Sequence, residues 1–337
     1  MALAVLLPNV INVPIEEDVL VSLVDRRMVI TLNRPKSLNS LTMPMIKRLY
    51  ETLKDVKDNQ SADLIILKSS SERAFCAGGD ILEIKNPVQA NGSMHKLFYV
   101  YEYIVDYLIG TFSIPFVSFI NGVTIGAGCG LSVNGAFRVS TERTIVSMPE
   151  VGVGLFPDAG ATYVLPRLPN HLGFFIALTG CRLKEADAYY SGMATHYVNS
   201  QRLAEIEQQL LALPFPNEDN VDRFLELVLK TLSKSETKFA KDQLTAILKN
   251  SPVSLKVTFN QLKLGTQLKF AEVFAIEYRL IQALVAHPNF LEGCRALLID
   301  RDNQPKWIPN DIESVTEADV QRHYQLLPNE FDLSAKI

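Results

Sequence analysis

The chain has 337 residues, 47% apolar and 21% charged, with 33 basic against 37 acidic side chains and a pI near 5.8. That balance is ordinary for a water-soluble globular protein and excludes the basic stripe and high pI of a nucleic-acid binder. The four cysteines (Cys76, Cys129, Cys181, Cys294) form no CxxC pair and the five histidines form no HExxH, so neither a zinc site nor a disulfide framework is expected.

No apolar run approaches the roughly 18 residues that span a bilayer. The stretch Ala2 to Leu7 is apolar, but Pro8 and Pro14 follow it and no basic residue precedes it, unlike a secretory signal. Glu16, Glu17 and Asp18 come before the first basic residue, Arg26, unlike an Arg-rich presequence.

Val19 to Leu32 reads as two strands, VLVSLV and MVITL, joined by a turn at Asp25-Arg26-Arg27. Thr42 caps a helix with Pro44 in its first turn and Met45, Ile46, Leu49, Leu53 and Val56 at helical spacing. LIILK (64–68) and FVSFI (116–120) are continuous apolar runs of strand length, with a polar loop (69–73), the segment AFCAGGD and a helix from about 94 to 108 between them. This alternation predicts α/β architecture with buried strands. Beyond about Leu183 strand signals fade, and helical patterns run through 184–191, 201–213, 219–232, 237–249, 253–264 and 269–285. The expected division is therefore an α/β core over residues 1–200 and an all-helical region over 201–337.

Two glycine-rich segments stand out: Cys76-Ala77-Gly78-Gly79-Asp80, after a strand, and Gly126-Ala127-Gly128-Cys129-Gly130, read as a loop leading into a helix at Leu131. Small residues there let a ligand approach the backbone and leave N–H groups free to donate, as an oxyanion hole requires; ordinary tight turns are the alternative. The spacing is not the G-x-G-x-x-G of a dinucleotide loop, and no phosphate loop of the GxxxxGK[ST] type occurs. Glu150 and Asp158 lie eight residues apart among apolar side chains, where carboxyl pKa values rise and separate; a solvated loop with a capping acid is the alternative.

Taken together, AFCAGGD, INGVTIGAGCGLS, SMPEVGVGLFPDAGATYVLPRL and the opening NRPKSLNSLT resemble, in order, the motifs of the enoyl-CoA hydratase (crotonase) superfamily, over a span from Val19 to at least Trp307. The resemblance implies a spiral core of ββα units. Within the superfamily the chain is more similar to the 3-hydroxyisobutyryl-CoA hydrolase branch. The position of the hydratases' first glutamate is Gly130, Asp158 stands where hydratases have Gly, and the run 292–307 is similar to the hydrolases.

The resemblance implies hydrolysis of a short 3-hydroxyacyl-CoA in valine breakdown, with coenzyme A as part of the substrate and no separate cofactor or metal. The N–H groups of Gly79 and Ala127 would cradle the thioester oxygen. Glu150 would attack the carbonyl or activate water, Asp158 would be the second catalytic carboxyl, holding the 3-hydroxyl and assisting proton movement, and Glu102 would contact substrate. Two other readings stand beside it: an enoyl-CoA hydratase or isomerase, and a non-catalytic relative serving as a structural subunit, for example of a mitochondrial ribosome. The sequence departs from the hydrolases at Ala127, where they usually have Gly, and over about 213–251, which looks shorter. Relatives also raise the expectation of self-association. The terminal Ala335-Lys336-Ile337 resembles a peroxisomal signal read by an import receptor, with a frayed tail and a mitochondrial location as alternatives.

Overall fold

The computed structural model describes residues 18–89, 94–214 and 249–325. Strands β1 (Val19–Val24) and β2 (Arg27–Leu32) form an antiparallel hairpin. Asp25 and Arg26 take φ of 44° and 65°, the left-handed pair whose twist suits a two-residue hairpin. The helix Met43–Asn59 is capped by Thr42, whose side chain accepts from the Met45 N–H.

From Leu64 the chain repeats one unit three times. A strand enters a large sheet, the next enters a smaller sheet, and a helix or helical turn follows. The first unit is β3 (Leu64–Ser69), β4 (Ala74–Cys76) and the helices Ile81–Gln89 and Met94–Thr111. The second is β5 (Phe116–Ile120), β6 (Val123–Ile125) and the helix Ala127–Val133. The third is β7 (Phe137–Ser140), β8 (Ile145–Ser147) and a 3₁₀ turn, Glu150–Val153. Short strands β9 (Leu183–Lys184) and β10 (His196–Tyr197) complete the sheets. The large sheet runs β1-β2-β3-β5-β7-β10 and the small one β4-β6-β8-β9. Among the described residues only β1–β2 and β8–β9 pair antiparallel.

Both faces of the large sheet are covered, which is why its strands read as unbroken apolar runs. Ile30, Leu32, Ile65 and Leu67 face one cluster. Val29, Leu64 and Ile66 face a second, closed by Val198, Ile206 and Leu210. The first cluster also takes residues of the helices Pro252–Gly265, Phe270–Val285 and Pro288–Cys294, so these late helices share the core of the early strands.

Three sequence expectations need amendment. Strand structure persists past Leu183, but β9 and β10 are two residues long and carry no periodicity to read. The helix expected over 184–191 is confined to Ala186–Tyr190. Pro252 and Pro288 begin their helices, sitting where no intrahelical N–H is needed. Gly126–Gly130 is not a loop ahead of a helix: the helix begins at Ala127. Gly128 is there for packing, since a methyl on it would lie 2.3 Å from the Cys76 carbonyl oxygen. The helices read over 219–232 and 237–249 fall outside the described residues, apart from Lys249, as does the C-terminal tripeptide.

Candidate active site

The three strands of the small sheet that lie side by side, β4, β6 and β8, deliver three segments at their carboxyl ends. In parallel α/β sheets this is where ligands bind. Ala77-Gly78-Gly79 follows β4, Gly126-Ala127 follows β6, and Pro149-Glu150 follows β8. All of them line one cavity of about 190 Å³, together with Phe98, Tyr99, Glu102, Asp158 and Leu298. That volume is below the roughly 300–1,000 Å³ of drug-sized sites and suits a short acyl group.

The first segment is braced by the NRPKSLNSLT turn. The Leu41 N–H donates to the Gly78 carbonyl at 2.8 Å, Ala77 N–H to Leu38 at 3.0 Å, and Asp80 N–H to Leu41 at 2.8 Å. Asn39 donates to the Phe75 carbonyl, and Arg34 pairs with Asp80 at 2.9 Å. Gly78 has a φ of 94°, and a methyl on it would meet the Ile125 carbonyl oxygen at 3.0 Å and the Ala127 nitrogen at 3.7 Å. The two glycine segments are thus in direct contact. Ala127 is the first residue of its helix, so its N–H has no intrahelical acceptor. Alanine is compatible with that helical backbone.

Glu150 opens the 3₁₀ turn after β8 and is 9% exposed. A methyl on Gly126 would stand 2.8 Å from its Oε1, so the absence of a side chain at 126 admits this carboxyl. Its Oε2 is buried and has no hydrogen-bond partner among the described residues. Burial pushes its pKa well above the usual carboxylate range, and the charge of Asp158 adds to this.

Asp158 is also buried and accepts from the Tyr103 hydroxyl at 2.7 Å. Burial raises its pKa to about 6 against the lowering effect of that bond. Glu102 is 2% exposed, its Oε2 has no partner among the described residues, and burial followed by the charges of Asp158, Glu277 and Glu150 drives it upward. All five residues named from the sequence, Gly79, Glu102, Ala127, Glu150 and Asp158, therefore line the same cavity.

Sequence reasoning missed others. Asp106 is fully buried, with neither carboxyl oxygen partnered among the described residues. Tyr99, Glu102, Tyr103 and Asp106 recur at helical spacing on Met94–Thr111, and acids on an otherwise apolar stripe were the available signal. Leu298 comes from the π-helical turn Arg295–Ile299, which no periodicity foretells. Gly130 has no room for a side chain: a methyl would fall 2.5 Å from Ala159 Cβ and 3.0 Å from Asp106 Oδ1. Among the described residues no group of three His, Cys, Asp or Glu side chains is disposed to hold a metal, and all four cysteines are buried and free.

Architecture and pocket define an α/β protein with two largely parallel sheets and a carboxyl-lined cavity at the strand ends. The family model for enoyl-CoA hydratase/isomerase matches residues 27–236 and 225–324, and the chain belongs to that family. It is 42% identical to the mitochondrial 3-hydroxyisobutyryl-CoA hydrolase of Homo sapiens, over 89% of this chain and 86% of that protein. It is 41% identical to the protein of the same name from Danio rerio, over 92% and 90%. Among solved structures it is similar to a carnitinyl-CoA dehydratase from Mycobacterium thermoresistibile, with a TM-score of 0.83, 31% identity, and coverage of 94% of this chain and 99% of that one. An enoyl-CoA hydratase from Rhodobacter sphaeroides gives a TM-score of 0.81 at 32% identity, covering 91% and 97%.

Proposed function

We propose that the chain hydrolyses 3-hydroxyisobutyryl-CoA, or a similar short 3-hydroxyacyl-CoA, to the free acid and coenzyme A, as in valine breakdown. The relatives named as hydrolases support the substrate. The observation that carries the chemistry is the Glu150 carboxyl lying against Gly126, in a pocket shared with the backbone of Gly79 and Ala127.

A thioester carbonyl gathers negative charge on oxygen when attacked. The N–H groups of Gly79 and Ala127 receive that oxygen, and one such preorganised donor is worth roughly 2.7–4 kcal/mol. Glu150 supplies the carboxylate that attacks the carbonyl carbon or takes the proton of an attacking water. Attack by Glu150 displaces coenzyme A and leaves a mixed anhydride that water then hydrolyses, restoring the carboxylate, whereas attack by water gives the free acid directly. In both courses the C–S bond breaks, water supplies the new oxygen of the acid, and a proton of that water ends on the thiol of coenzyme A, which is part of the substrate. Asp158 holds the 3-hydroxyl and assists proton movement, and Glu102 contacts the acyl group. The buried carboxyls Glu102, Glu150 and Asp158 favour a small, polar acyl chain, whose hydroxyl offers them a hydrogen-bond partner.

The hydratase reading draws on the names of the solved relatives. Against it stands the absence of space for a second glutamate at position 130. A non-catalytic role would leave so many buried acids without purpose, at a cost in stability. The compartment named for the relatives favours the mitochondrion over the peroxisomal address suggested by Ala335-Lys336-Ile337. A fluorescent fusion lacking residues 335–337 decides between them: unchanged mitochondrial staining supports this reading, and loss of peroxisomal staining refutes it. For the reaction, a thiol-release assay across short acyl-CoAs is expected to rank 3-hydroxyisobutyryl-CoA first. Rapid hydration of crotonyl-CoA without thiol release would refute the hydrolase reading.

A further inference from the structure

The turn that carries Asp158 is backbone-strained and held from outside. Ala159 and Gly160 take φ of 56° and 86°, and the left-handed region is costly for the alanine. Two of the late helices grip this turn on either side of Asp158. From Pro252–Gly265, Gln261 Nε2 donates to the Pro157 carbonyl at 3.2 Å and also bonds the Thr162 hydroxyl. From Phe270–Val285, the Glu277 carboxyl accepts the Gly160 N–H on Oε2 at 2.9 Å and the Thr162 N–H on Oε1 at 3.0 Å. Glu277 and Gln261 are both fully buried.

We infer that Glu277, with Gln261 beside it, is a positioning residue that holds the Asp158 turn in its reactive place, so that the helices Pro252–Gly265 and Phe270–Val285 set the rate of the chemical step without themselves lining the pocket. This rests on the reading of Asp158 as a catalytic carboxyl that holds the 3-hydroxyl and assists proton movement. The titratable groups facing Glu277 are Asp158 on the turn and Glu102, Tyr103 and Asp106 of the helix Met94–Thr111. Burial, then the charge of Asp158, raises Glu277 to about 8. Its ionisation adds negative charge behind a site where negative charge must develop.

Glu277→Gln keeps the shape but turns an amide NH₂ toward one of the two backbone donors, so one of the paired bonds is lost. With folding checked by circular dichroism, kcat for thiol release is expected to fall on the order of 10- to 100-fold, as displacement of a reactive group does. KM should stay near the wild-type value. The native enzyme is expected to lose kcat as Glu277 ionises near pH 8, and in the variant that decline should vanish. Gln261→Leu should lower kcat in the same way while keeping that decline. Folded Glu277→Gln with wild-type kcat and an unchanged pH profile overturns the inference. If Glu277→Gln does not fold, wild-type kcat in Gln261→Leu overturns it. Asp158→Asn, run alongside, tests the underlying reading separately: full activity there removes the role of Asp158 whatever Glu277 does.

Discussion

Tyr103→Phe removes one hydroxyl and little else. The Tyr103 ring lies fully buried, with its centroid 5.9 Å from that of Phe274 and 6.0 Å from that of Tyr99, and phenylalanine preserves that packing. What disappears is the 2.7 Å bond to Asp158 Oδ2. A hydrogen bond to a charged group is worth about 1.5–3 kcal/mol. Each pKa unit corresponds to about 1.36 kcal/mol, so the Asp158 pKa should climb by roughly 1–2 units. It would move from about 6 in the native protein toward roughly 7–8. The direction does not depend on whether Asp158 works as the acid or as its anion, because either way its ionised form loses a donor. The assay is thiol release from the 3-hydroxyacyl thioester between pH 5 and 9, fitted for the pH dependence of kcat. A limb that stays where the native enzyme has it would refute the view that this hydroxyl sets the protonation of Asp158.

Gly126→Ala places a methyl 2.8 Å from Glu150 Oε1 on a residue with φ of 55°. Thermal unfolding should show a loss of about 1–3 kcal/mol from the backbone alone, because φ 55° with ψ −123° is rarely open to a side chain, and kcat should drop on the order of 100-fold through the displaced carboxyl. Gly130→Glu should lower the melting temperature and confer no hydration of crotonyl-CoA, read by absorbance, because Ala159 and Asp106 occupy the space. The folded-state pKa values of Asp158 and Glu277, about 6 and about 8, exceed their reference values of 3.8 and 4.5. The native state thus keeps protons that the unfolded chain releases. The stabilisation is whole below about pH 4 and is lost as pH rises through 6 and then 8. Melting midpoints should fall across that window, and Glu277→Gln should flatten its upper part.

Much of this was legible in the chain because the informative residues were local. The hairpin, the apolar runs 64–68 and 116–120, and the capped helix after Thr42 all follow from short-range pattern. The acids at 150 and 158 were visible as carboxyls among apolar neighbours. The start of the helix at Ala127 was hidden because glycine ordinarily marks a turn, whereas Gly128 is required by the approach of the Cys76 carbonyl. Glu277 and Gln261 lie more than a hundred and about a hundred residues from the turn they hold, and only the tertiary fold brings them there. Yet Glu277 falls on the buried stripe Val273, Phe274, Tyr278, Ile281, and an acid in such a stripe is a signal that a partner waits elsewhere.

The most direct trial of the whole account is Glu150→Gln assayed for coenzyme A release from 3-hydroxyisobutyryl-CoA, with thioester affinity measured in parallel by calorimetry. The expected outcome is binding close to that of the native protein with thiol release abolished. Native rates of release from that variant would contradict the assignment of the reaction to this carboxyl.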